Sequence, residues 1–433
     1  MAVWAWQLLL RAYNAALFRR TLEGKISAIH VTEDTGVTAI SNSLANMNIV
    51  LAVTGGIAAT ESIKLARELR RHGANITPIM TKSAEKVISP LALSWGSGTE
   101  VITDWSPEMA QLNKYHGILV APATRNTIAK FIHGILDSPV MMALSSSNGN
   151  GTPLMFVPSM HDDIFDDPVT RDLIKKLEEW KSGVYFEDSV EGRRKQPNAT
   201  SIVANFSNFV NSRLPSRKRV AVTLGSNRTQ IDSIRFLENT STGNTGWSIS
   251  EHLFKMGHDV VCIAGNTTRE PRFPLPEVII EQTPQGMLES CIRIAESSDP
   301  PDCWIHSAAV LDYVADFSEG KKPSGTDDWH IKLNPSKKHI EEISKYLNGA
   351  IRIGFKLEYD EDPKNIVESA LNQITSQKMN LVVANSISES RGDGPIRCRL
   401  VFPDGTFDEI PSLTNLCESL EQFIQQQGVS ANE

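Results

Sequence analysis

Two segments of the chain combine an apolar run, a small-residue turn and a helical pattern. Residues 49–53 are apolar and are followed by Gly55 and Gly56, after which apolar positions recur at helical spacing. Residues 220–224 form a second apolar run, which ends at Gly225 before a polar loop and a new helical pattern. Short apolar runs bounded by glycine are typical of buried parallel strands, and parallel strands need crossover helices. The pattern predicts an α/β chain with two doubly wound, Rossmann-like domains.

The length of 433 residues agrees with two or three domains. A stretch with proline, serine and four basic residues, SRLPSRKR, is typical of an exposed linker. We therefore predict an N-terminal extension of residues 1–46, a first domain of residues 47–200, a linker of residues 201–218 and a second domain of residues 219–430.

The extension follows neither domain pattern. It combines apolar side chains with arginines and could form an amphipathic helix, with Trp4, Trp6, Leu8, Leu9, Leu10, Leu17 and Phe18 beside Arg11, Arg19 and Arg20. A signal peptide would have a basic start and a small-residue cleavage site, and the segment has neither. Two interpretations stay open, a helix that docks on the protein and an extended start.

The composition argues against several classes of protein, namely nucleic-acid-binding, membrane-spanning, disulfide-rich and zinc-binding proteins. The net charge of −8 argues against nonspecific binding to nucleic acid. No apolar stretch reaches the roughly 18–20 residues that a membrane-spanning helix needs. The five cysteines all lie in the second half, from Cys262 onward, without CxxC spacing, so neither a disulfide scaffold nor a zinc site is indicated. A reducing cytoplasm fits these features.

Both glycine turns direct backbone N–H groups and a helix start toward one point, which favours binding of an anion such as phosphate. Each turn is also compatible with an ordinary strand-to-helix connection, so spacing alone does not decide between them. The first turn is not GxGxxG, and the dinucleotide fingerprint is therefore absent.

Several separate motifs follow one another along the chain. Those of the first half are VTGGIAATESIKLARELRRHGA, LVAPATRNTIAKFIHGILDSP and VPSMHDDIFDDP. Those of the second half are VTLGSNRTQIDSIRFLENTSTGNTG, SAAVLDY, LNPSKKHI, GFKLE and LVVANSI. In sequence and order they resemble the bifunctional coenzyme A biosynthesis proteins, in which phosphopantothenoylcysteine decarboxylase is fused to phosphopantothenate–cysteine ligase, and the chain is most similar to the archaeal form.

The resemblance implies that the first domain binds FMN, which oxidises the substrate thiol so that carbon dioxide can leave. The positions that match the flavin-binding segments are Gly55, Gly56, Ile57, Ala58, Thr81, Ala123, Thr124 and Thr127. The chain departs from the family at the catalytic histidine, whose place Gln111 occupies. The lid cysteine is also absent, and that stretch offers Arg193, Arg194 and Lys195 instead. We expect His161 to supply the proton and Asn126 to orient the substrate carboxylate, with His116 as the weaker candidate.

The resemblance implies that the second domain activates 4′-phosphopantothenate with a nucleotide, CTP in most prokaryotes, and joins it to cysteine. The negative charge that builds up calls for Mg²⁺, a lysine and amide donors. Asn239 matches the residue that holds the acyl-nucleotide, and Lys321 or Lys322 matches the lysine of a mobile loop. Asn244 replaces the usual lysine. The implied nucleotide-binding positions are Gly225, Ser226, Ser307, Ala308, Asp312, Asn334, Pro335, Ser336, Lys337, Phe355 and Lys378.

Three functions stay open. The leading hypothesis is an enzyme for two consecutive steps of coenzyme A synthesis, acting on small-molecule substrates as a homo-oligomer. The second is a ligase whose flavin-binding domain is catalytically impaired, and the third is a regulatory module without turnover. Taken alone, Asn239 and Asp312 are also typical of turn caps, and the two loop lysines of solvated side chains.

Overall fold

The computed structural model describes residues 36–188, 193–325, 328–359, 362–392 and 394–427, with the backbone alone at residues 193 and 194. The chain divides into two compact units, residues 1–203 and 204–433. Each unit is built around its own sheet. Within the described ranges, no helix combines the length and the apolar composition that crossing a membrane requires.

The first unit contains a five-stranded sheet. Its strands, with two short strands that pair with each other, are β1 Asn48–Val53, β2 Asn75–Met80, β3 Gly117–Ala123, β4 Leu154–Pro158, β5 Met160–His161, β6 Gly183–Val184 and β7 Arg193–Arg194. The helices are α1 Ser62–Arg71, α2 Pro90–Ser97, α3 Arg125–Ile132, α4 Pro139–Gly149, α5 Asp162–Phe165 and α6 Pro168–Glu179. Three short 3-10 helices are Ile57–Glu61, Ala84–Lys86 and Ala110–Leu112.

The strand order is β2-β1-β3-β4-β6, and all neighbours are parallel. Both β1 and β3 are buried along nearly their whole length, as expected for strands that helices cover on both faces. Side-chain caps begin four of the helices, each accepting a backbone N–H, at Ser89, Thr124, Ser138 and Asp167. This is the doubly wound order in which the winding direction changes between β1 and β3.

The second unit contains an eight-stranded sheet and two hairpins. The strands are β8 Arg219–Leu224, β9 Arg228–Gln230, β10 Phe236–Glu238, β11 Asp259–Ala264, β12 Glu277–Ile280, β13 Cys303–His306, β14 Tyr313–Ala315, β15 Leu333–Pro335, β16 Ile351–Glu358, β17 Leu381–Ser386, β18 Cys398–Val401 and β19 Phe407–Ile410. The helices are α8 Asn244–Lys255, α9 Pro284–Ala295, α10 His339–Ile343, α11 Pro363–Gln377, α12 Ile387–Arg391 and α13 Leu413–Gln426.

The order of the large sheet is β12-β11-β8-β13-β16-β17-β18-β19. The first six strands are parallel, and β18 and β19 add an antiparallel edge. The parallel part has the order of a dinucleotide-binding sheet, with its switch point between β8 and β13. The prediction of two doubly wound domains is confirmed.

The stretch predicted as a linker differs from that expectation, because it begins as a helix. Helix α7, Ala199–Asn211, crosses the boundary between the units. Ile202, Val203, Phe206 and Val210 recur at helical spacing and are buried. An apolar face of this kind stabilises a helix regardless of the polar residues that follow it. Of the predicted linker, residues 212–218 lie outside helices and strands.

The described chain begins on the surface of the first unit. Val37 and Leu44 are buried, and the Leu44 N–H donates to the His72 carbonyl at the end of α1 over 2.9 Å. Residues 36–46, which the sequence assigned to the extension, therefore pack on this unit. The predicted amphipathic segment, residues 4–20, lies outside the described residues.

Candidate active sites

The first site lies at the carboxyl edge of the first sheet, where the turns after β1, β2 and β3 meet. Thr54 Oγ1 donates to the Pro122 carbonyl over 2.8 Å and accepts the Thr124 N–H over 3.1 Å. Thr54 is fully buried. These bonds join the turn after β1 to the turn after β3, so the segments predicted to bind flavin are neighbours.

Gly55 and Gly56 differ in how much space their surroundings leave for a side chain. A Cβ on Gly55 would lie 2.3 Å from Ser83 Oγ and 2.9 Å from the Ser83 carbonyl carbon. A Cβ on Gly56 would make an ordinary contact of 3.6 Å with the Thr124 methyl group. Gly55 therefore lets the turns after β1 and β2 approach each other, whereas Gly56 leaves the start of the following helix accessible.

Hydroxyl groups line the same edge. Thr81 Oγ1 and Ser83 Oγ lie 3.0 Å apart, and the Thr124 and Thr127 hydroxyls lie 3.1 Å apart. Thr124 also caps α3 by accepting the Thr127 N–H. The first N–H groups of α3 and of Ile57–Glu61 lack partners within their own helices, as at any helix start. This set of donors suits a phosphate group.

His161 and Asn126 follow strand ends on this edge and are exposed. The backbone of His161 in β5 pairs antiparallel with residue 193 in β7, within the basic stretch that corresponds to the family's lid. Asn126 lies in the first turn of α3, where its neighbour Arg125 forms a 2.9 Å ion pair with Asp167. That ion pair fixes the start of α3 to the start of α6.

His116 and Gln111 have structural surroundings. His116 Nδ1 accepts the Asn48 N–H over 2.9 Å at the amino end of β1, the opposite edge of the sheet from the glycine turn. Gln111 is fully buried, and its Nε2 lies 3.3 Å from the Met109 sulfur. An amide does not titrate near neutral pH, so Gln111 cannot replace a histidine as an acid or base.

The second site lies at the switch point between β8 and β13. The Ser307 N–H donates to the Thr223 carbonyl over 3.0 Å, and the Ala309 N–H donates to the Gly225 carbonyl over 2.8 Å. Gly225 has a φ of +76°, and a Cβ there would lie 2.6 Å from the Asn266 carbonyl oxygen. The loops after β8 and β13 are thus held side by side, where open α/β sheets bind ligands.

The side chains of Ser226 and Asn239 form hydrogen bonds that hold these two loops in place. The buried Ser226 hydroxyl donates to Glu238 over 2.5 Å. Asn239 follows directly after β10, and its Nδ2 donates to the Ala309 and Val310 carbonyls over 3.3 and 3.1 Å. The amide of Asn239 therefore positions the loop after β13.

A cavity of about 660 Å³ lies at the carboxyl ends of β13 and β16. Four predicted nucleotide positions line it, Ala308, Asp312, Lys337 and Phe355. Lys338 lines it as well, and its ammonium forms a 2.5 Å ion pair with Asp312. A partly buried aromatic ring, a carboxylate and two lysines can contact a base, ribose hydroxyls and phosphates.

Two buried histidines complete the wall of this cavity. Burial, with the charge of Arg352 nearby, lowers the pKa of His306 to about 3. Burial lowers the pKa of His339 to about 4. Both imidazoles are therefore neutral at physiological pH, and the positive charge of the cavity comes from its lysines.

The other predicted nucleotide residues are distributed around this cavity. Pro335 and Ser336 line a second cavity of about 590 Å³, which shares Lys337 and His339 with the first. Asn334 donates instead to Asp316 over 2.5 Å. Lys378 ends α11 in the left-handed conformation and is exposed, outside the lining of both cavities among the described residues.

The loop lysines lie on an anchored segment. Lys322 Nζ lies 5.2 Å from the centroid of the Trp329 ring, and the Lys322 N–H donates to Asp232 over 3.4 Å. Asp232 is buried and forms a 2.7 Å ion pair with Arg235. Backbone N–H donors, with Ile234 first, hold the pKa of Asp232 below its ordinary value. Lys321 is exposed at the start of the same segment.

The cysteines lie away from solvent. All five are buried in the second unit, and burial raises the pKa of Cys262 to about 12. A thiol in such surroundings is inert as an acid or nucleophile near neutral pH. Across the part of the chain that the structure describes, no group of three or more His, Cys, Asp and Glu side chains could hold a metal ion.

Comparison with known proteins identifies the family. Residues 38–210 match the family model for Flavoprotein, and residues 216–414 match that for the DNA/pantothenate metabolism flavoprotein C-terminal domain. The chain is 33% identical over 356 residues to the coenzyme A biosynthesis bifunctional protein CoaBC of Thermococcus kodakarensis, covering 80% of this chain and 87% of that protein. The chain belongs to the CoaBC family.

A second archaeal CoaBC protein gives the same result. That of Methanocaldococcus jannaschii is 31% identical over 353 residues, covering 81% of this chain and 86% of that protein. A crystal structure of the C-terminal domain of a CoaBC protein is 24% identical, with a TM-score of 0.40, and covers 51% of this chain and 99% of that chain. The resemblance seen in the sequence, including its archaeal character, is confirmed.

The sequence analysis did not predict two side chains near the second site, Lys338 and Arg269. Only the first of them lies in a motif that the analysis had identified. Lys338 stands next to Lys337 in the CoaBC motif LNPSKKHI, so the sequence contained its signal. Arg269 had no such signal, because it lies 25 residues from its partner. Its guanidinium donates to Asn244 Oδ1 over 3.1 Å, at the start of α8, where the resemblance to the family implies a lysine.

Proposed function

We propose that this CoaBC protein converts 4′-phosphopantothenate to 4′-phosphopantetheine in two steps. The first is CTP-dependent ligation of cysteine in the second unit, and the second is FMN-dependent decarboxylation in the first unit. The observation that supports the proposal is that one chain, aligned over 87% of a CoaBC relative, has a strand-end site of suitable chemistry in each unit.

The ligation proceeds through an acyl-cytidylate. A carboxylate oxygen of 4′-phosphopantothenate attacks the α-phosphorus of CTP, the bond to the β-phosphate breaks, and pyrophosphate leaves. The amine of cysteine then attacks the acyl carbon, CMP leaves with the electron pair of the acyl–oxygen bond, and the amine loses a proton. Mg²⁺, entering with the nucleotide, would neutralise part of the charge that develops on the phosphates.

Different residues of the second unit bind different parts of the nucleotide and of the acyl-nucleotide. Phe355 packs against the base, and the carboxylate of Asp312 binds the sugar from the same cavity wall. The ammonium groups of Lys337 and Lys322 neutralise phosphate charge, with Lys321 as the alternative in the loop. Asn239 exchanges its 3.3 Å bond to Ala309 for a bond to the acyl-nucleotide, whose oxygen becomes negative during cysteine attack.

The first unit fits FMN. The accessible helix start after Gly56 supplies N–H donors for the phosphate, and the side chains of Thr81, Thr124 and Thr127 supply hydroxyls at the same edge. Bound there, FMN would supply a reversible two-electron acceptor for the substrate thiol, so that the overall decarboxylation would not be a net oxidation.

The chain's own residues hold and protonate the second substrate. Asn126, exposed in the first turn of α3, orients the substrate carboxylate from the strand-end edge. His161, exposed beside the paired strands β5 and β7, gives the proton that the product needs after carbon dioxide leaves. Both side chains are on the edge that carries the flavin-binding turns, which supports these roles over His116 at the opposite edge.

The test of ligation uses the full chain. Purified protein is incubated with Mg²⁺, 4′-phosphopantothenate, cysteine and each nucleoside triphosphate in turn, and mass spectrometry identifies the products. We expect CTP to give pyrophosphate, CMP and phosphopantothenoylcysteine. Without cysteine, pyrophosphate should be released up to one equivalent of trapped acyl-cytidylate. Formation of CDP and phosphate instead would contradict the acyl-cytidylate route.

The test of decarboxylation starts from supplied phosphopantothenoylcysteine, so that it does not depend on ligation. The protein, reconstituted with FMN, should show a bound-flavin spectrum and release carbon dioxide. A protein that binds FMN without releasing carbon dioxide would remove the second step and leave the first intact.

A further inference from the structure

Two polar side chains in the wall of the cavity of about 660 Å³ each have one buried atom without a hydrogen-bond partner. His306 is 6% exposed, and its Nε2 is unpaired among the described residues. Gln373 of α11 is partly buried, and within the described chain its Oε1 is unpaired as well. Buried polar atoms of this kind destabilise a protein until they are bonded, so a ligand that bonds to both is favoured.

The register of the large sheet places these two side chains next to each other. His306 of β13 is paired with Thr223 of β8 and with Gly354 of β16, so the three residues face the same side of the sheet. A Cβ on Gly354 would lie 2.9 Å from Gln373 Nε2. The amide of Gln373 therefore fills the place beside His306 that a side chain at position 354 would take. Its nitrogen faces the strand, and Oε1 is the acceptor left unpaired among the described residues.

The surroundings of His306 fix its ring without using Nε2. The ring stacks on that of Trp304 in the same strand, with centroids 6.1 Å apart and an angle of 20° between the planes. Burial, with the charge of Arg352, lowers the pKa of His306 to about 3, so the imidazole is neutral at physiological pH. The guanidinium of Arg352 donates to the Ile340 carbonyl over 2.9 Å, and Arg352 is outside the described lining of the cavity. This part of the wall therefore offers neutral hydrogen-bonding groups.

The neutral pair suits a base better than a phosphate. The charged residues that line the cavity are Asp312, Lys337, Lys338 and Lys356. The last of these is two positions beyond Gly354, and its ammonium is paired with Glu358 over 3.3 Å. A triphosphate buried against His306 and Gln373 would lack a counter-charge there, which is strongly unfavourable. A nucleobase is uncharged and carries donors and acceptors along its edge.

We propose that His306 and Gln373 bind the edge of the nucleobase and thereby set the nucleotide preference of the ligase. The inference rests on the proposed ligation and adds the residues that distinguish one base from another. Gln373 Oε1 accepts a hydrogen bond from an exocyclic amine, and the neutral His306 donates from Nε2 to the adjacent ring nitrogen. Cytosine and adenine have an amine at that position, whereas uracil and guanine have a carbonyl. The cavity therefore selects CTP and ATP over UTP and GTP.

The first experiment measures the Kd of CTP, ATP, UTP and GTP for the full chain by isothermal titration calorimetry. Mg²⁺ is present and 4′-phosphopantothenate is omitted, so the result does not depend on turnover and stays measurable even if ligation fails. We expect CTP to bind at least about tenfold more tightly than UTP, the scale of one hydrogen bond. Gln373→Met, which keeps the length of the side chain and removes the amide, should weaken CTP about tenfold without weakening UTP.

The matched control is Gln422→Met, the same exchange at an exposed position of α13, which should change none of the four Kd values. Equal affinity of the unaltered protein for CTP and UTP would overturn the proposal. So would a Gln373→Met protein that binds CTP as tightly as the unaltered protein, or one that loses CTP and UTP equally.

The second experiment separates contacts to the base from contacts to the phosphates. Inorganic tripolyphosphate, which has no base, should compete with CTP equally well in the unaltered protein, in Gln373→Met and in His306→Phe. His306→Phe keeps a ring that can stack on Trp304 and removes Nε2, so CTP binding should weaken about tenfold. A loss of tripolyphosphate binding as large as that of CTP would place these side chains at the phosphates and overturn the proposal. Because Gln373 is partly exposed, its variant decides the question even if His306→Phe does not fold.

Discussion

Two adjacent glycines in the turn after β1 show how single residues set the first site. Both were predicted as phosphate-binding positions for the same reason, that a bare backbone can approach an anion. In the structure, Gly55 is surrounded by the turn after β2, whereas Gly56 has room for a methyl group. The sequence predicted the turn, but the different need for each glycine depends on Ser83, which the sequence does not place.

We predict that Gly55→Ala destabilises the protein by about 1–3 kcal/mol, the usual cost of an extra methyl group in a packed site. The new Cβ would lie 2.3 Å from Ser83 Oγ, so the turn after β2 must move and flavin binding should weaken. Thermal unfolding and the bound-flavin content check this. Gly56→Ala is the matched control, and equal losses in the two variants would contradict the assignment.

A hydrogen bond between Arg269 and Asn244 is a second example of how single residues set a site. Arg269 brings a positive charge to the start of α8, where its guanidinium bonds to Asn244. The resemblance to the family implies a lysine at position 244, and in this chain the Arg269 guanidinium brings a positive charge to that point from a loop.

We predict that Arg269→Ala raises the KM for CTP roughly tenfold to a hundredfold, as expected for losing a charge-assisted hydrogen bond of about 1.5–3 kcal/mol, with less effect on kcat. Adding Asn244→Lys should restore most of the affinity. The rate of pyrophosphate release against CTP concentration measures both. Arg293→Ala, in the last turn of α9, controls for loss of a surface arginine. If the double variant has a KM for CTP as high as that of Arg269→Ala alone, Arg269 does not replace the charge of a lysine at position 244.

At the scale of elements, the sequence predicted the strands that are buried in the core and did not predict the short strands that are exposed. Strands β1 and β8 are buried apolar runs, and their pattern identified them. The hairpins β9–β10 and β14–β15 consist of three-residue strands with exposed residues such as Phe236 and Tyr313. Such strands are defined by their pairing rather than by an apolar period. The 2.5 Å pair of Asp312 and Lys338, 26 residues apart, flanks one of these hairpins, and the sequence therefore did not predict it.

The end of α1 is joined to the segment before β1 by a buried polar cluster. Glu68 lies 3.0 Å from the Arg71 guanidinium and 3.7 Å from His72 Nε2, and His72 Nδ1 lies 2.6 Å from Ser41 Oγ. Bonding to His72, followed by that to Arg71, lowers the pKa of Glu68 to about 2.

We predict that Glu68→Gln lowers the free energy of unfolding by up to about 3 kcal/mol at about pH 5, the upper limit that such a pKa shift implies. The pKa of the folded state lies below that of the unfolded chain. The contribution of the carboxylate is therefore fully present above about pH 4.5 and is lost as the pH falls toward 2. Denaturant unfolding across that range measures the difference. Glu61→Gln, which breaks an exposed pair with Lys64, should change little at any pH; a pH-independent effect of Glu68→Gln would contradict the linkage.

At the scale of the whole molecule, topology predicted where the sites lie better than which side chains form them. Parallel strands place their carboxyl ends together, so the turns after β1 and β3 meet although Thr54 and Thr124 are 70 residues apart. The cavity wall in the second unit combines His306 of β13 with Phe355 of β16. That combination depends on strand order and packing, which single-sequence patterns do not contain.

Each unit has its own apolar core and its own strand-end site, so the two activities should be separable. We predict that Asn239→Asp slows ligation by roughly 10²–10³-fold, the scale for losing an oxyanion donor, while supplied phosphopantothenoylcysteine is decarboxylated at the unaltered rate. His161→Asn should do the reverse, slowing carbon dioxide release by roughly 10²-fold or more without loss of ligation or of bound FMN.

A mixture of the two variants tests the same separation in one reaction. The ligation product made by the His161→Asn protein should diffuse to the Asn239→Asp protein, so that the mixture forms 4′-phosphopantetheine although each variant alone forms little. Mass spectrometry of the mixture and of each variant alone measures this. If the mixture is no better than its components, the intermediate does not exchange between molecules. If either variant loses both activities on supplied substrates, the units depend on each other and two independent sites are the wrong description.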